Sequence, residues 1–377
     1  RHRLTTLLWE QDALPVSLWA AYCSALPSRP LPRMREDIDV SIIIPVYNKW
    51  HLTSACISSI LETCDGGISY EIILADDGSK DETTKADAFF PGVIIARTPE
   101  NMGFLRNCNN AAKQARGRHI LLLNNDTIVF PNWLSALYEL MESDEKAGLV
   151  GSKLIYPSGE IQEAGGVIWN DASALNYGHG DPYNHCGHCS FIREADYISG
   201  ASILIRGSLW RELGGFDQRY KTAYCEDCDL AMEVRAHGLR VLYHPDSTII
   251  HFEHQSYADA DATTQNELQK INSHILYEKW KEVLERDHMP PETVSHINIC
   301  HACRSVLPYM YERRRSGSMR VLFLSPYPLK LNEERHTKLL AELRDRGHHI
   351  QYALLDSGLH EEADRAALRA TWPCDMI

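Results

Sequence analysis

Four short apolar runs, spaced by segments long enough for helices, constrain this chain more than any other feature. They are Val40-Ser-Ile-Ile-Ile44, Glu71-Ile-Ile-Leu-Ala75, Val93–Ala96 and His119-Ile-Leu-Leu-Leu123. Each is aliphatic and short, as a buried strand is. Between the first two, Leu52, Ala55, Cys56, Ser59 and Ile60 recur at helical spacing, and Phe104–Ala115 predicts a second helix with several small residues. Strand, helix and strand at these distances pair in parallel through crossovers, so this half is expected to be a doubly wound, mostly parallel α/β sheet. Such sheets bind ligands outside the C-terminal ends of their strands. The residues that follow each run therefore matter most.

Charge and cysteine usage narrow the class. The net charge of −13 over 377 residues argues against nucleic-acid binding, which needs clustered Lys and Arg. No apolar run reaches the ~18–20 residues of a membrane span. The eleven cysteines are scattered and odd in number, which points to reduced thiols and a cytoplasmic setting. Three Cys-x-x-Cys pairs stand out, Cys186/Cys189, Cys225/Cys228 and Cys300/Cys303, near His185, His188 and His301. Two of them could form a structural zinc site, but their separation exceeds the usual spacing, and partly buried free thiols are the simpler expectation. The chain starts at Arg1 and stops at Ile377 where a strand is beginning, so a piece of a longer polypeptide is expected.

Residues 1–38 read as a helical extension (Leu4, Leu7, Leu8, Leu18, Trp19, Tyr22) and a proline-rich connector from Pro27 to Pro32. Residues 39–286 form the main domain. Beyond about residue 150 the pattern changes. Short strands at Tyr197–Ile205, Val241–His244 and Thr248–Phe252 and a helix at Glu226–Ala236 make a smaller half that supplies the other wall of a cleft. A further helical stretch lies within Asp259–Arg286. Residues 287–318 read as a linker, and 319–377 as the opening βαβ unit of a Rossmann-like domain.

Polar clusters stand at the turns, and each has two readings. Asp76-Asp77-Gly78-Ser79 can bind a ligand or cap a turn. Asn124-Asn125-Asp126, after the fourth run, can hold a divalent cation or simply turn the chain. Glu226, Asp227 and Asp229 open a helix, where acids suit the dipole, yet carboxylates this close also suit general-base work. His251 can complete a metal site or be structural.

Taken in order, these clusters resemble one family. Ile44-Pro-Val-Tyr-Asn48, Asp76-Asp-Gly-Ser79, Asn101-Met-Gly-Phe104 with Asn109, Asn124-Asn-Asp126, Gly214-Gly-Phe-Asp217, Glu226-Asp227 with Asp229, and His251 look like a family-two glycosyltransferase of GT-A fold, of the kind found in bacterial surface-polysaccharide and rhamnan assembly. The resemblance covers about residues 38–285. It implies inverting transfer of a sugar from a nucleotide-diphosphate donor to a glycan or lipid-linked glycan acceptor, with manganese or magnesium as cofactor. Pro45, Tyr47, Asp76, Asp77, Asn101, Gly103, Asn109, Asn124 and Asn125 would lie on the donor side. Asp126 and His251 would hold the metal, and Asp227, with Glu226 beside it, would be the catalytic base. Gly200, Ala201, Gly215, Phe216 and Asp217 would shape the acceptor side. Two positions depart from the pattern: Asn124 replaces the first acid of Asp-x-Asp, and His254-Gln255 replace small residues after the histidine.

The C-terminal segment resembles the start of a GT-B glycosyltransferase, in Arg320–Pro328 and Arg344-Asp-Arg-Gly-His348, although Lys330-Leu-Asn-Glu333 stands where glycines are usual. Two other functions compete. A sugar nucleotidyltransferase would show a glycine-rich basic loop after the first strand, and Val46-Tyr-Asn-Lys-Trp50 has no glycine. An inactive nucleotide-sugar-binding or scaffold module of a larger synthase would lose Asp126, Asp227 or His251, and all three are present. The first 38 residues could bring the protein peripherally to the inner face of the cytoplasmic membrane, and further domains of the parent chain would be its neighbours.

Overall fold

In the computed structural model, β1 (Val40–Val46), α1 (Trp50–Thr63), β2 (Tyr70–Asp76), α2 (Ala86–Phe89), β3 (Ile94–Arg97), α3 (Phe104–Ala111) and β4 (His119–Leu123) follow one another, and all but the short α2 are as the periodicity predicts. The structure describes residues 37–63, 67–180, 189, 191–220, 223–253, 262–291, 320–325 and 349–354. Most of the expected N-terminal extension, Cys186, Cys300, Cys303 and their neighbouring histidines, and most of the linker lie outside these residues.

The second half adds β5 (Thr127–Val129), α4 (Trp133–Ser143), β6 (Ala147–Ile155), β7 (Ile161–Glu163), β8 (Gly166–Ile168), β9 (Ala174–Asn176), β10 (Arg193–Glu194), β11 (Ser202–Arg206), α5 (Gly207–Leu213), α6 (Glu226–Ala236), β12 (Arg240–His251) and α7 (Ala262–Asp287). The main sheet runs β10-β12-β6-β11-β4-β1-β2-β3, with β5 also on β12 and β7 on β6. β1 pairs in parallel with β2 and β4, and β6 with β12, while β11 runs antiparallel between β4 and β6. This is the expected mostly parallel α/β sheet with a smaller second half.

Side chains alternate across the sheet and bury both faces. Val40, Ile42 and Ile44 join Cys56, Ile57 and Ile60 of α1 on one side. Ile43 and Ile73 meet Leu105, Cys108 and Ala111 of α3 on the other. Strands buried on both faces read as nearly continuous apolar runs, which is why they are visible in the sequence. From β1 the chain moves to one side through β2 and β3, then crosses back to place β4 on the other side of β1. That reversal opens a crevice at the strand ends. Pro45 lies beyond Ile43↔Leu122, the last β1–β4 pair, so a residue without an N–H fits there.

Four expectations change. The strand anticipated over Tyr197–Ile205 begins only at Ser202, because the N–H groups of Ser199 and Gly200 go to carboxylates rather than a ladder. The two strands expected at Val241–His244 and Thr248–Phe252 are one, β12, whose register shifts between His244 and Thr248. The helix expected to reach Ala115 ends at Ala111 and tightens into a 3₁₀ turn over Ala112–Gln114. Residues 127–155, left unassigned above, hold two strands and a helix. Farther on, β13 (Arg320–Ser325) and β14 (His349–Leu354) pair in parallel, as a crossover unit requires. Cys225 and Cys228 are free thiols, and Cys189 is buried.

Candidate active site

The loops after β1 and β2 are stitched together at the crevice. Asn48 N–H donates to Ser79 Oγ (2.8 Å), and Lys80 N–H donates to Asn48 Oδ1 (2.8 Å). Gly78 takes φ +77°, where an added Cβ would meet the Glu100 backbone at 3.1 Å. Asp76 accepts from Ser79 N–H (2.9 Å) and Arg97 Nε (2.6 Å). Asp77 accepts from Thr98 Oγ1, Met102 N–H and Gly103 N–H at 3.0, 2.8 and 2.9 Å. Both carboxylates are buried and organise the 97–103 loop from beneath. Asn101 is exposed and accepts from Gly103 N–H (3.1 Å). The large apolar side chains that face outward here are Tyr47, 47% exposed, and Met102, 40% exposed.

After β4, three residues take three directions. Asn125 Nδ2 donates to Thr53 Oγ1 (3.1 Å) and fixes the turn to α1. Asn124 N–H donates to the Ala201 carbonyl (3.0 Å). Asp126 turns inward. Pairing of β5 with β12, His251↔Thr127, brings His251 Nε2 to 3.3 Å from Asp126 Oδ1. That oxygen is buried and has no hydrogen-bond donor. A carboxylate oxygen and an imidazole nitrogen meeting this way are hard and borderline donors suited to a divalent cation. Among the described residues no cluster of three or more His, Cys, Asp or Glu side chains could hold a metal. Asp126 and His251 therefore supply two positions, and further ligands would come from elsewhere.

An acidic group shares this crevice. A cleft of about 370 Å³ is lined by Asn124, His251, Gly200, Glu226, Asp227 and Glu163. Tyr224 and Cys225 adopt left-handed backbone, φ +79° and +69°, immediately before α6. This strained turn presents Glu226 and Asp227 at the first turn of the helix. Asp227 is half-buried, and its oxygens accept from Gly200 N–H (3.1 Å) and Cys228 N–H (2.8 Å). Glu226 is buried, with Oε2 lacking a partner. Burial first, then the charge of Asp227, pushes Glu226 up to about 8. Glu163, absent from the sequence reading, is also buried and accepts from Ser199 N–H (2.8 Å). Burial and the Asp227 charge push it up to about 8 as well. Burial raises Asp227 too, but the backbone N–H groups of Gly200 and Cys228 oppose that rise. Of the trio, Asp227 is the one whose two oxygens each accept a backbone N–H.

Several residues expected near the substrate stand behind the cleft. Both ends of the Asn109 carboxamide bond the Phe216 backbone, at 2.8 and 2.9 Å. Phe216 is buried against Phe104 and Trp210. Asp217 pairs with Arg219 and Lys279, and Lys279 also binds Asp229 and Glu233. Gly215, Phe216 and Asp217 line a separate pocket rather than the acidic cleft, and Asp229 ties α6 to α7. Gly200 and Ala201 do line the cleft.

Residues 41–207 match the family Glycosyl transferase family 2. Over that span the chain is similar to family 2 glycosyltransferases. The O-antigen biosynthesis protein RfbC of Myxococcus xanthus is 30% identical over 234 residues, 59% of this chain and 18% of that protein. The N-acetylglucosaminyl-diphospho-decaprenol L-rhamnosyltransferase of Mycobacterium tuberculosis is 24% identical over 207 residues, 49% of this chain and 67% of that protein. The solved structure of GalNAc-T7 with UDP, GalNAc and Mn2+ is similar over 58% of this chain and 44% of that one, at 17% identity and a TM-score of 0.48. The chain thus spans less than a fifth of the Myxococcus protein. Asp126 lies inside the matched span, whereas Asp227 and His251 follow it, on α6 and β12. Among the described residues no helix is long and apolar enough to cross a membrane.

Proposed function

We propose that this domain transfers a sugar from a nucleoside-diphosphate donor to a hydroxyl of a glycan or lipid-linked glycan, by inverting displacement with Asp227 as base. The observation that carries the reading is one cleft lined both by Asp227, its oxygens held by two backbone N–H groups, and by His251, which meets Asp126 at 3.3 Å. In this reading the acceptor hydroxyl lies against Asp227. As its oxygen bonds to the anomeric carbon and the sugar–phosphate bond breaks, its proton passes to Asp227. Inversion follows when attack and departure occur on opposite faces of the sugar, and a single displacement requires no enzyme nucleophile.

Burial keeps Glu226 and Glu163 protonated, so neither competes for that proton. Gly200 and Cys228 hold the Asp227 oxygens through backbone N–H groups, which orients the base. Gly200 has no side chain to cover the two acids. Asp126 and His251 would hold manganese or magnesium, which when bound supplies positive charge against the departing diphosphate. Tyr47 and Met102 would flank the nucleoside above the loop that Asp77 organises. The test is the product's anomeric configuration by NMR after incubation with a panel of nucleotide sugars and a glycan acceptor. Inversion that disappears in Asp227→Asn supports the proposal, whereas retention, or full activity in that variant, overturns it.

A further inference from the structure

Gln162 of β7 and Tyr156 after β6 stand behind His251, away from the Asp126 side. Neither residue enters the sequence reading. Tyr156 Oη lies 2.8 Å from Glu253 Oε2. A carboxylate only accepts, so the tyrosine donates its O–H there. Gln162 Oε1 lies 2.9 Å from His251 Nδ1. A carbonyl oxygen accepts, so Nδ1 carries the hydrogen. In a neutral imidazole Nε2 is then a bare lone pair. It faces Asp126 Oδ1 at 3.3 Å and Asn124 Nδ2 at 3.4 Å.

We propose that Gln162 fixes His251 in the Nδ1–H tautomer and so aims the Nε2 lone pair at the cation position beside Asp126. Gln162 is a positioning residue, buried with His251 and anchored on a strand. Its own carbonyl lies 3.2 Å from His179 Nδ1, which holds the backbone in place. The inference deepens the proposed function and rests on Asp126 and His251 being a cation site.

The tautomer can be read without metal or substrate. Long-range proton–nitrogen spectra of the full chain labelled with 15N-histidine, with His251 assigned by its absence in His251→Ala, report which ring nitrogen is protonated. Above neutral pH the expected pattern is Nδ1 protonated and Nε2 bare. A proton on Nε2, alone or with Nδ1, overturns the proposal. Calorimetric titration of Mn2+ in the presence of UDP then compares variants. Gln162→Met should weaken binding roughly 10–100-fold, as loss of a ligand-orienting partner does elsewhere. Gln162→Glu keeps an acceptor and should restore most of it. Equal Mn2+ affinity in wild type and a folded Gln162→Met also overturns it. A wild-type chain with the expected tautomer but no Mn2+ binding removes the cation reading and leaves Gln162 orienting His251.

Discussion

Asn272 of α7 reaches the Ala223 carbonyl with its Nδ2 at 2.7 Å. The same amide lies 3.1 Å from the Tyr224 carbonyl. Asn272 is fully buried, 49 residues along the chain from Ala223, and clamps the left-handed turn that presents Glu226 and Asp227. Residues held in left-handed backbone persist only when their surroundings over-determine them. Asn272→Ala takes a donor from the buried Ala223 carbonyl and the part-buried Tyr224 carbonyl and should cost about 1–3 kcal/mol of stability. Turnover should fall while donor binding holds, because the base is displaced and the donor side is not. Thermal unfolding together with kcat and donor KM checks this. Unchanged kcat in a destabilised protein would confine Asn272 to the fold.

Asp227→Asn should reduce transfer by about 10²–10⁴-fold, the usual contribution of a general base. The amide cannot accept from both Gly200 and Cys228 N–H groups as the carboxylate does, so a small stability change should accompany it. Nucleotide-sugar affinity, measured by calorimetry, should stay near the wild-type value. Loss of both affinity and turnover would place Asp227 in donor binding instead.

The first four strands were legible because burial on both faces makes their residues almost uniformly apolar. β6 was not legible. It is buried throughout, yet it carries Gly148, Gly151, Ser152 and Lys153. Ser152 is accommodated by hydroxyl contacts with Ser202 and Ser247, 50 and 95 residues away, which no local pattern reveals. β7, β8 and β9 have three residues each, too few to show a period. At the site, acids at strand ends and helix starts drew attention to Asp126 and Asp227. Gln162, Glu163 and Asn272 are single polar residues whose roles exist only through distant partners. Gly215-Phe-Asp217 was readable as a motif, but the lysine that engages Asp217 lies 62 residues further on.

Stability should depend on pH through the two buried glutamates. Glu226 and Glu163 titrate near 8 in the folded chain and near 4.5 when unfolded. Between these values the folded state binds more protons than the unfolded state, so stability falls as pH rises. The slope is at most about 1.4 kcal/mol per pH unit for each group, and it levels off above the folded value. Glu226→Gln should flatten this decline and stabilise the protein at pH near 8. Denaturant unfolding of both proteins across that window measures it. A wild-type curve that rises over the same interval contradicts the assignment.

Gly166 admits no side chain. A Cβ built there overlaps the ring of Tyr197, whose hydroxyl bonds Asn176 on the other strand of the β8–β9 hairpin. Gly166 also accepts from Asp196 and Tyr197 N–H groups. Gly166→Ala should therefore destabilise by about 1–3 kcal/mol, the range for overpacking a filled core. A Tyr197→Phe background leaves the ring in place and should not relieve it. Tyr197→Ala, which opens the space, should make the glycine substitution nearly neutral. A double-mutant cycle by chemical denaturation gives the coupling.

The Asp126–His251 pair makes the sharpest demand on the proposed chemistry. Two described protein ligands are too few to retain a cation without help, so affinity should depend on the nucleotide diphosphate. Mn2+ alone should bind weakly, and UDP and Mn2+ should strengthen one another by the same factor, as linkage requires. Asp126→Ala removes a charged ligand and should abolish that coupling. His251→Ala should weaken it while leaving metal-free UDP binding intact. Chelation should suppress transfer, and added manganese or magnesium should restore it. Paired titrations, UDP with and without Mn2+, decide the matter. Equal UDP affinity in both, with turnover unaffected by thorough chelation, would mean that the orphaned oxygen of Asp126 meets no metal, and leave Asp227 to work against an unassisted leaving group.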